Sequence, residues 1–228
     1  IIAEIGQAHD GSLGILHSYI DAVSKTNANA IKFQTHIAEA ESSPQEKFRI
    51  NFSYEDKTRQ EYWNRMSFEL KSWIEIKEHC EDCGLEFLSS PFSIAAVDLL
   101  EEIGVDKYKI GSGEISNYLM LDKIAQTGKE VFISSGMSDF NELDLAVKRF
   151  LKSNNKINIL QCTTKYPTSY EDIGLNVIKE LEAKYPKYNI GLSDHSGSIY
   201  PSLAATTLGA SVIEVHVVFD KQMFGPDS

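Results

Sequence analysis

The stretch VDKYKIGSGEI, residues 105–115, decides the predicted fold. It has the pattern of a short buried strand that opens into a turn containing Gly111 and Gly113. Glycine reaches backbone conformations closed to other residues, so we expect the N–H groups of this turn to converge on an anion. The exit of the strand also carries a lysine, a serine and a glutamate: Lys109, Ser112 and Glu114. Because one such turn is also typical of an ordinary strand-to-helix loop, the interpretation depends on whether the design recurs.

The design does recur, since apolar strands alternate with amphipathic helices along the chain, which is typical of parallel βα units. The predicted strands are residues 1–6, 30–34, 85–92, 107–110, 130–136, 157–164, 189–195 and 211–218. The predicted helices are residues 12–27 (with Ser12 as N-cap), 67–83, 93–103, 118–127, 139–153, 174–184 and 198–208. Eight repeats in about 220 residues predict an α/β fold, a (β/α)8 TIM barrel with its active site at the carboxyl ends of the strands. A doubly wound sheet is the alternative, but no GxGxxG follows the first strand.

Composition limits the classes of function. With 228 residues and 42% hydrophobic content, the chain fits a single α/β domain spanning residues 1–228. A net charge of −11 argues against nucleic acid and acidic membranes as partners, and no apolar run reaches the roughly 18 residues of a membrane helix. An odd count of cysteines without a secretory signal predicts a reducing, cytoplasmic location. Cys80 and Cys83 form a CxxC at a helix end, but without a second pair they predict no metal or redox site.

Two parts of the chain depart from the regular alternation. From about residue 35 to 66 the sequence predicts a long, charged and irregular segment. An insertion of this length in a compact domain is typical of a functional loop or a lid. After Phe219 only DKQMFGPDS remains, so we expect the eighth outer helix of the barrel to be missing from this chain. We also expect the chain to be part of a longer protein.

In a barrel, the polar residues at the strand exits converge although they are scattered in sequence. They are Glu4, Lys32, Gln34, Ser89, Ser90, Lys109, Ser112, Glu114, Ser134, Ser135, Thr163, Thr164, Ser193, Asp194, His195, Glu214 and His216. Hydroxyls and lysines suit a phosphate, and His195 and His216, on neighbouring strands, suit a divalent metal ion. Lys32 lies in an apolar strand and needs a partner carboxylate or an anionic ligand. We expect the other histidines His17, His36 and His79 to be surface or helix side chains.

Several consecutive motifs carry a resemblance to a known family. In order, they are AEIGQAHDGS, IKFQTH, SSPF, YKIGSGE, SSGM, CTTKYP, GLSDHS, the strand of His216, and GPD. The whole chain resembles the N-terminal catalytic domain of the sialic acid synthase family, which includes the N-acetylneuraminate, legionaminate and pseudaminate synthases and the spore-coat polysaccharide enzyme. The resemblance implies a TIM-barrel transferase that condenses phosphoenolpyruvate with an open-chain 2-acetamido hexose, typically N-acetylmannosamine. The products would be a nine-carbon 2-keto acid and phosphate.

The resemblance also implies a role for each matching residue. Phosphoenolpyruvate would be held by Lys109, Ser112, Ser134 and Ser193, with Ser90 nearby. A divalent ion, manganese or else magnesium, would be held by His195 and His216. The sugar or metal-bound water would contact Gln34, Glu114, Tyr166 and Asp227, while Glu4 and Lys32 would face the same cavity. Glu114 or Glu4 is expected to move protons, and Thr164 stands where the family usually has an asparagine that contacts the anion.

The resemblance further implies a homodimer in which a C-terminal antifreeze-like domain, absent from this sequence, lends an arginine to the partner's sugar site. We therefore expect this chain to bind phosphoenolpyruvate and metal but to be weak or inactive in synthesis. Three other interpretations stay open. They are an aldolase that uses Lys109 or Lys32 as a Schiff-base nucleophile, a related phosphoenolpyruvate-condensing synthase acting on a phosphorylated aldose, and a noncatalytic ligand-binding barrel fragment.

Overall fold

The computed structural model describes residues 1–48 and 52–225, and it contains every strand and helix predicted above. The strands are β1 (Ile2–Glu4), β2 (Ala30–Thr35), β3 (Glu86–Pro91), β4 (Lys107–Ile110), β5 (Glu130–Ser134), β6 (Ile157–Cys162), β7 (Asn189–Asp194) and β8 (Val212–His216). The helices are α1 (Leu13–Ser24), α2 (Ala38–Glu41), α3 (Arg59–Met66), α4 (Leu70–Asp82), α5 (Ile94–Ile103), α6 (Tyr118–Gln126), α7 (Phe140–Arg149), α8 (Leu175–Lys184) and α9 (Tyr200–Thr207). Within the described residues no helix follows β8.

The strands follow one another in the order β1 to β8 as a closed barrel, so the predicted (β/α)8 fold is confirmed. Strands β2 and β3 pair in parallel with Gln34 opposite Ser90. Strands β7 and β8 pair in the same way, with Ser193 opposite Glu214. This register places polar residues of adjacent strands side by side at their carboxyl ends.

By its contacts the chain divides into two compact units. One consists of Ile1–Ile2 and Asp106–His216, and the other of Ala3–Val105 with the residues from Val217 onward. In each unit the helices bury apolar faces, for example Leu16 and Ile20 of α1. Across the described part of the chain, no helix has both the length and the apolar character that a membrane span requires.

Local signals in the sequence explain where the helices begin. Ser12 caps α1 as predicted, because its side chain accepts a hydrogen bond from the backbone N–H of Ile15. Helix α7 begins with a capping box, in which the Asp139 side chain accepts from backbone N–H groups and the Glu142 side chain accepts from the N–H of Asp139. Helix α5 ends at Gly104, whose φ of 76° is strained for other residues.

The segment from residue 35 to 66 is less irregular than predicted. It contains α2 and α3, and α3 begins with a capping box of Thr58 and Glu61. The T-x-x-E spacing of that box is a helix signal that our interpretation of the segment overlooked. At the end of α3, Arg65 Nη2 lies 2.8 Å from Asp56 Oδ2, and Arg65 Nη1 lies 2.5 Å from Asp10 Oδ1. The segment is thereby tied to the loop after β1.

Candidate active site

The ends of β4, β5, β7 and β8 form one buried polar cluster around a lysine. Lys109 Nζ donates to Ser134 Oγ at 2.8 Å and lies 3.4 Å from Glu214 Oε1. Ser193 Oγ donates to the same Glu214 oxygen at 3.0 Å. All four residues are at most 4% exposed. The structure therefore brings together three of the residues predicted to hold an anion, and it adds a carboxylate that compensates the lysine charge.

A second group of hydroxyls surrounds Gly136, which follows β5. A Cβ atom at this position would lie 2.6 Å from both Ser112 Oγ and Thr164 Oγ1, and 3.1 Å from the carbonyl oxygen of Cys162. No side chain fits in that space without moving its neighbours. The close approach of the Gly136 backbone thus explains the glycine of the SSGM motif, and it places Ser112 and Thr164 against the same point.

The role predicted for the two glycines of the GSG turn is wrong. Gly111 has a φ of −66°, which any residue adopts, and Gly113 is not among the residues with positive φ. A Cβ atom at either position would meet nothing within 4 Å. Instead of a left-handed turn, the end of β4 continues as a short 3-10 turn, Ser112–Glu114. The sequence thus indicated the right place, but the glycine that the packing requires there is Gly136.

The two predicted metal-ligating histidines lie close together after β7 and at the end of β8. The ring centroids of His195 and His216 are 5.2 Å apart. His195 Nδ1 lies 2.9 Å from the carbonyl oxygen of Thr163, so this nitrogen carries the proton and donates it. In the neutral ring, Nε2 of His195 then keeps its lone pair, and it accepts from the Tyr166 hydroxyl at 3.0 Å. A backbone carbonyl that fixes the tautomer in this way is typical of metal-bound histidines.

These two imidazoles fit a divalent ion. Ring centroids 5.2 Å apart allow one nitrogen of each ring to reach a common ion at the usual distance of roughly 2.0–2.1 Å. The Tyr166 ring packs against both, with centroid distances of 4.2 Å to His195 and 5.7 Å to His216. Tyr166 thus lies beside both histidines, and its contact with the sugar or a metal-bound water stays a prediction.

Cys162, at the end of β6, belongs to the same cluster although it was not predicted as a site residue. Its Sγ lies 3.9 Å from His195 Nδ1 and 3.4 Å from Ser112 Oγ. Burial raises the pKa of this thiol, but the hydrogen bonds of His195 and Ser112 and the charge of Lys109 outweigh burial and lower the pKa to about 7. The cysteine of the CTTKYP motif was a signal for this position that went unused.

The unit formed by residues 3–105 contains a second buried cluster around a lysine. Lys32 Nζ lies 2.7 Å from Glu4 Oε2 and donates to Ser90 Oγ at 3.2 Å. Gln34 Nε2 donates to the other Glu4 oxygen at 2.9 Å, and Gln7 Nε2 donates to Gln34 Oε1 at 3.2 Å. The expectation that Lys32 requires a partner carboxylate is confirmed. The cluster joins four of the predicted site residues through two hydrogen bonds and one ion pair.

His36 extends this second cluster into the segment that follows β2. It was expected to be a surface or helix side chain, but it is 5% exposed and lies between the rings of Trp63 and Phe92, at centroid distances of 3.7 and 4.2 Å. His36 Nδ1 lies 2.7 Å from Glu41 Oε2, and Nε2 lies 3.2 Å from Gln34 Oε1. Helices α2 and α3 thus supply the side chains that hold this histidine, which sequence spacing did not indicate.

The remaining predicted residues are less closely connected to these clusters. Glu114, in the 3-10 turn after β4, is half-buried and accepts from Asn117 Nδ2 at 2.9 Å. Asp227 lies outside the described residues. The roles of Glu114 and Glu4 in proton transfer, and of Asp227 in sugar binding, stay predictions.

Comparisons with known proteins identify what this arrangement is similar to. The model of the NeuB family matches residues 19–228. The N,N'-diacetyllegionaminic acid synthase of Campylobacter jejuni is 36% identical over all of this chain and 70% of its own length. The human N-acetylneuraminate-9-phosphate synthase is 34% identical over all of this chain and 64% of its own length. The crystal structure of the N-acetylneuraminic acid synthetase of Leptospira borgpetersenii superposes with a TM-score of 0.86 at 32% identity, covering 99% of this chain and 75% of that one.

Proposed function

The chain belongs to the NeuB family of sialic-acid-type synthases, and we propose that it condenses phosphoenolpyruvate with an open-chain 2-acetamido hexose such as N-acetylmannosamine. Carbon 3 of phosphoenolpyruvate attacks the sugar aldehyde, water adds to carbon 2, and the tetrahedral intermediate loses phosphate. The products are a nine-carbon 2-keto acid and inorganic phosphate. The chain spans 70% and 64% of the two relatives named above, so the activity is proposed for the protein that contains it.

The observation that carries this proposal is the buried cluster of Lys109, Ser134 and Ser193. An ammonium group and two hydroxyls at the ends of three strands suit a phosphate or carboxylate, because hydrogen bonds to an ionised acceptor are about twice as strong as neutral ones. Water is largely excluded from these groups, and electrostatic interactions are stronger in such surroundings. We assign this cluster to phosphoenolpyruvate, with Lys109 steadying the departing phosphate.

Ser112 and Thr164 supply further hydroxyls to the same anion in this proposal. A Cβ atom at Gly136 would lie 2.6 Å from both hydroxyl oxygens. Because glycine has no Cβ atom, the space beside the two hydroxyls stays open. A hydroxyl donates only one hydrogen bond, so Thr164 gives less to a phosphate oxygen than the amide usual in the family. Loose binding of the anion at this point is the expected consequence.

His195 and His216 would hold the divalent ion, manganese in the first place and magnesium as the alternative. When bound, such an ion supplies Lewis-acid polarisation of the sugar's aldehyde oxygen. The chain's own part is to orient the imidazoles. Thr163 accepts the Nδ1 proton of His195, and the Tyr166 hydroxyl lies beside the nitrogen that faces away from that carbonyl. If that nitrogen were given to the ion, the Tyr166 hydroxyl would be released from it and could donate to a substrate oxygen.

For proton transfer we favour Glu114 over Glu4. Both oxygens of Glu4 are already occupied, one by the Lys32 ammonium and one by the Gln34 amide. Glu114 is half-buried and accepts one hydrogen bond from the Asn117 amide. In this proposal Glu4 and Lys32 hold Gln34 in position, and Gln34 contacts the sugar. A cytoplasmic location fits the three free thiols, and a homodimer of the full-length protein stays a prediction from the resemblance.

The test is phosphate release from phosphoenolpyruvate, measured on the full-length protein with manganese and N-acetylmannosamine. The expected result is release that depends on the sugar and disappears in a His195→Ala/His216→Ala double variant and in Lys109→Met. Release without sugar dependence would contradict the proposal.

A phosphorylated sugar is the second candidate substrate, because a relative that is 34% identical is named a 9-phosphate synthase. The same assay with the 6-phosphate of N-acetylmannosamine distinguishes the two, since only the true substrate should support release at low concentration. If neither sugar supports release while phosphoenolpyruvate still binds, the barrel is a ligand-binding fragment rather than a synthase.

A further inference from the structure

Two neighbouring helices, α1 and α4, each carry a pair of metal-ligating side chains four residues apart. Helix α1 contains His17 and Asp21, and α4 contains His79 with Cys83 directly after its last residue. Side chains four apart lie on the same helix face, one turn above the other. The two helices contact each other, so the two pairs can face a common point.

The distances show that they do. His79 Nε2 lies 3.2 Å from Asp21 Oδ1. The ligand atoms of Asp21, His79 and Cys83 all lie within 4.8 Å of one another. Ligand atoms of a tetrahedral zinc ion, bound at about 2.0–2.3 Å, are roughly 3.3–3.8 Å apart. Side-chain rotations would have to bring these atoms from within 4.8 Å of one another to that spacing. Among the described residues this is the one group of three histidine, cysteine or acidic side chains that meets the distance requirement.

His17 has a different position in this group, because it contacts the other nitrogen of His79. The two Nδ1 atoms are 2.8 Å apart, so one of them donates a proton to the other. If His79 Nε2 binds a metal, its Nδ1 carries the proton and His17 accepts it. A hydrogen bond to the second ring nitrogen is the usual way in which a metal-bound histidine is oriented. His17 is thus a positioning residue for His79.

The candidate ligands at the end of α4 are His79 and Cys83, not the two cysteines of the CxxC motif. Cys80 is fully buried in the core. Cys83 is half-buried, and its sulfur lies near the Asp21 carboxylate of α1. The helical partner of Cys83 is His79, one turn earlier. The sequence analysis considered Cys80 and Cys83 only as a pair and did not consider Cys83 together with His79.

We propose that Asp21, His79 and Cys83 bind one divalent transition-metal ion, zinc in the first place, with His17 orienting His79. A thiolate, an imidazole and a carboxylate are the ligands that zinc takes, and magnesium or manganese prefers oxygen donors. On binding, the Cys83 thiol releases its proton to solvent, and a water molecule completes four-coordination. The ion links α1 to α4, two helices whose ligands are about 60 residues apart in sequence. None of these residues belongs to the substrate and metal sites proposed above, so this site does not rest on the proposed function.

Cobalt is the probe for this site, because a thiolate bound to tetrahedral cobalt gives an intense near-ultraviolet charge-transfer band. The chain is reduced, stripped with a chelator and titrated with Co²⁺. We expect about one equivalent to produce the band in the unsubstituted chain and zinc to remove it. The band should be lost in Cys83→Ser and retained in Cys162→Ser. Cys162 is the matched control, because it is the other cysteine that lies beside a histidine. A band absent from the unsubstituted chain, or retained in Cys83→Ser, would overturn the proposal.

Two further variants separate ligands from positioning residues. Asp21 is exposed on α1, so Asp21→Asn should fold normally and weaken cobalt binding by at least tenfold. His17→Gln should weaken binding by roughly 10–100-fold while the charge-transfer band keeps its position, because Cys83 stays a ligand. Zinc should also raise the midpoint of thermal unfolding of the unsubstituted chain but not of Cys83→Ser. Equal cobalt affinity in Asp21→Asn and in the unsubstituted chain would mean that the group is only a hydrogen-bonded link between the helices.

Discussion

Two buried lysines lie at strand ends in this chain, and their surroundings differ in one respect. Lys32 has its carboxylate partner at 2.7 Å and a serine hydroxyl at 3.2 Å. Lys109 has the reverse order, with a serine hydroxyl at 2.8 Å and its carboxylate at 3.4 Å. Both ammonium groups are about equally buried, at 3% exposure. The same three kinds of group therefore form a contact ion pair in one place and a hydroxyl-bound ammonium in the other.

This difference indicates different tasks for the two lysines. At 2.7 Å the Lys32 ammonium and its carboxylate form a direct ion pair, and removing one partner of such a buried pair is costly to stability. At 3.4 Å the Glu214 carboxylate compensates the charge of Lys109 from beyond ideal hydrogen-bond distance. A ligand anion competes for the lysine ammonium with the groups that already contact it. A serine hydroxyl holds the ammonium less strongly than a carboxylate does, so an anion displaces it more easily. We infer that the first cluster mainly stabilises the fold and the second mainly binds the ligand.

The largest expected effect is on catalysis at Lys109. Lys109→Met should lower sugar-dependent phosphate release by about 10³-fold, because it removes the cation that stabilises the departing phosphate. The measurement is kcat/KM for phosphoenolpyruvate on the full-length protein. Because Glu214 would then be buried without this partner, the control is Lys109→Met/Glu214→Gln, which removes both charges. If the double variant recovered activity, the ligand-binding role of Lys109 would be wrong.

The next effect is on stability at Glu4. Glu4→Gln should lower the free energy of unfolding by about 3 kcal/mol, since the Lys32 ammonium stays buried without its contact carboxylate. Urea unfolding of Glu4→Gln and of the matched Glu214→Gln measures the difference between the clusters. We expect the smaller loss in Glu214→Gln. The reverse order would contradict the division into a fold-stabilising and a ligand-binding cluster.

A smaller effect on substrate binding is expected at Gly136, where the backbone packs closely against two hydroxyl groups. Gly136→Ala places a methyl group 2.6 Å from the hydroxyl oxygens of Ser112 and Thr164, so both must shift. The KM for phosphoenolpyruvate should rise about tenfold, equivalent to about 1.4 kcal/mol, with little change in stability. Gly113→Ala is the comparison, because a Cβ atom there meets nothing within 4 Å. Similar KM values for the two variants would show that the space beside Gly136 is not occupied by the ligand.

The sequence predicted those features that depend on the order of the strands and on the residues within each strand. Alternating strands and helices indicated the barrel, and polar residues at strand exits indicated Lys109, Ser134, Ser193 and the partner carboxylate of Lys32, because strand order fixes where such residues lie. The cause assigned to the GSG turn was wrong for a related reason. A glycine in the sequence shows that the backbone can adopt unusual conformations there. Whether a glycine is required depends on how closely other segments approach it, and here that glycine is Gly136.

The residues that the sequence did not predict depend on contacts between distant segments. His36 is buried because Trp63 and Phe92, about 27 and 56 residues away, stack on its two faces. Cys83 is a candidate ligand because α4 lies against Asp21 of α1. Neither relation leaves a spacing pattern in the sequence. Helix α3, by contrast, was detectable from its T-x-x-E capping box.

The smallest effect concerns the ion pair of Asp56 and Arg65, which is more exposed than either lysine cluster and extends the comparison toward the surface. Burial raises the pKa of Asp56, but hydrogen bonds from Arg65 and Ser53 and the charge of Arg65 outweigh it, so the pKa lies below the usual 3.8. A lowered pKa means that this pair stabilises the folded state above pH 4 and stops doing so as the carboxylate is protonated at lower pH. The contribution should be at most about 1 kcal/mol.

Urea unfolding between pH 6 and pH 3 measures this contribution. The difference in the free energy of unfolding between the unsubstituted chain and Asp56→Asn should shrink as the pH falls. A difference that stayed constant would mean that Asp56 stabilises the fold through packing and not through its charge. The comparison of ion pairs by their burial would then not apply to Asp56 and Arg65.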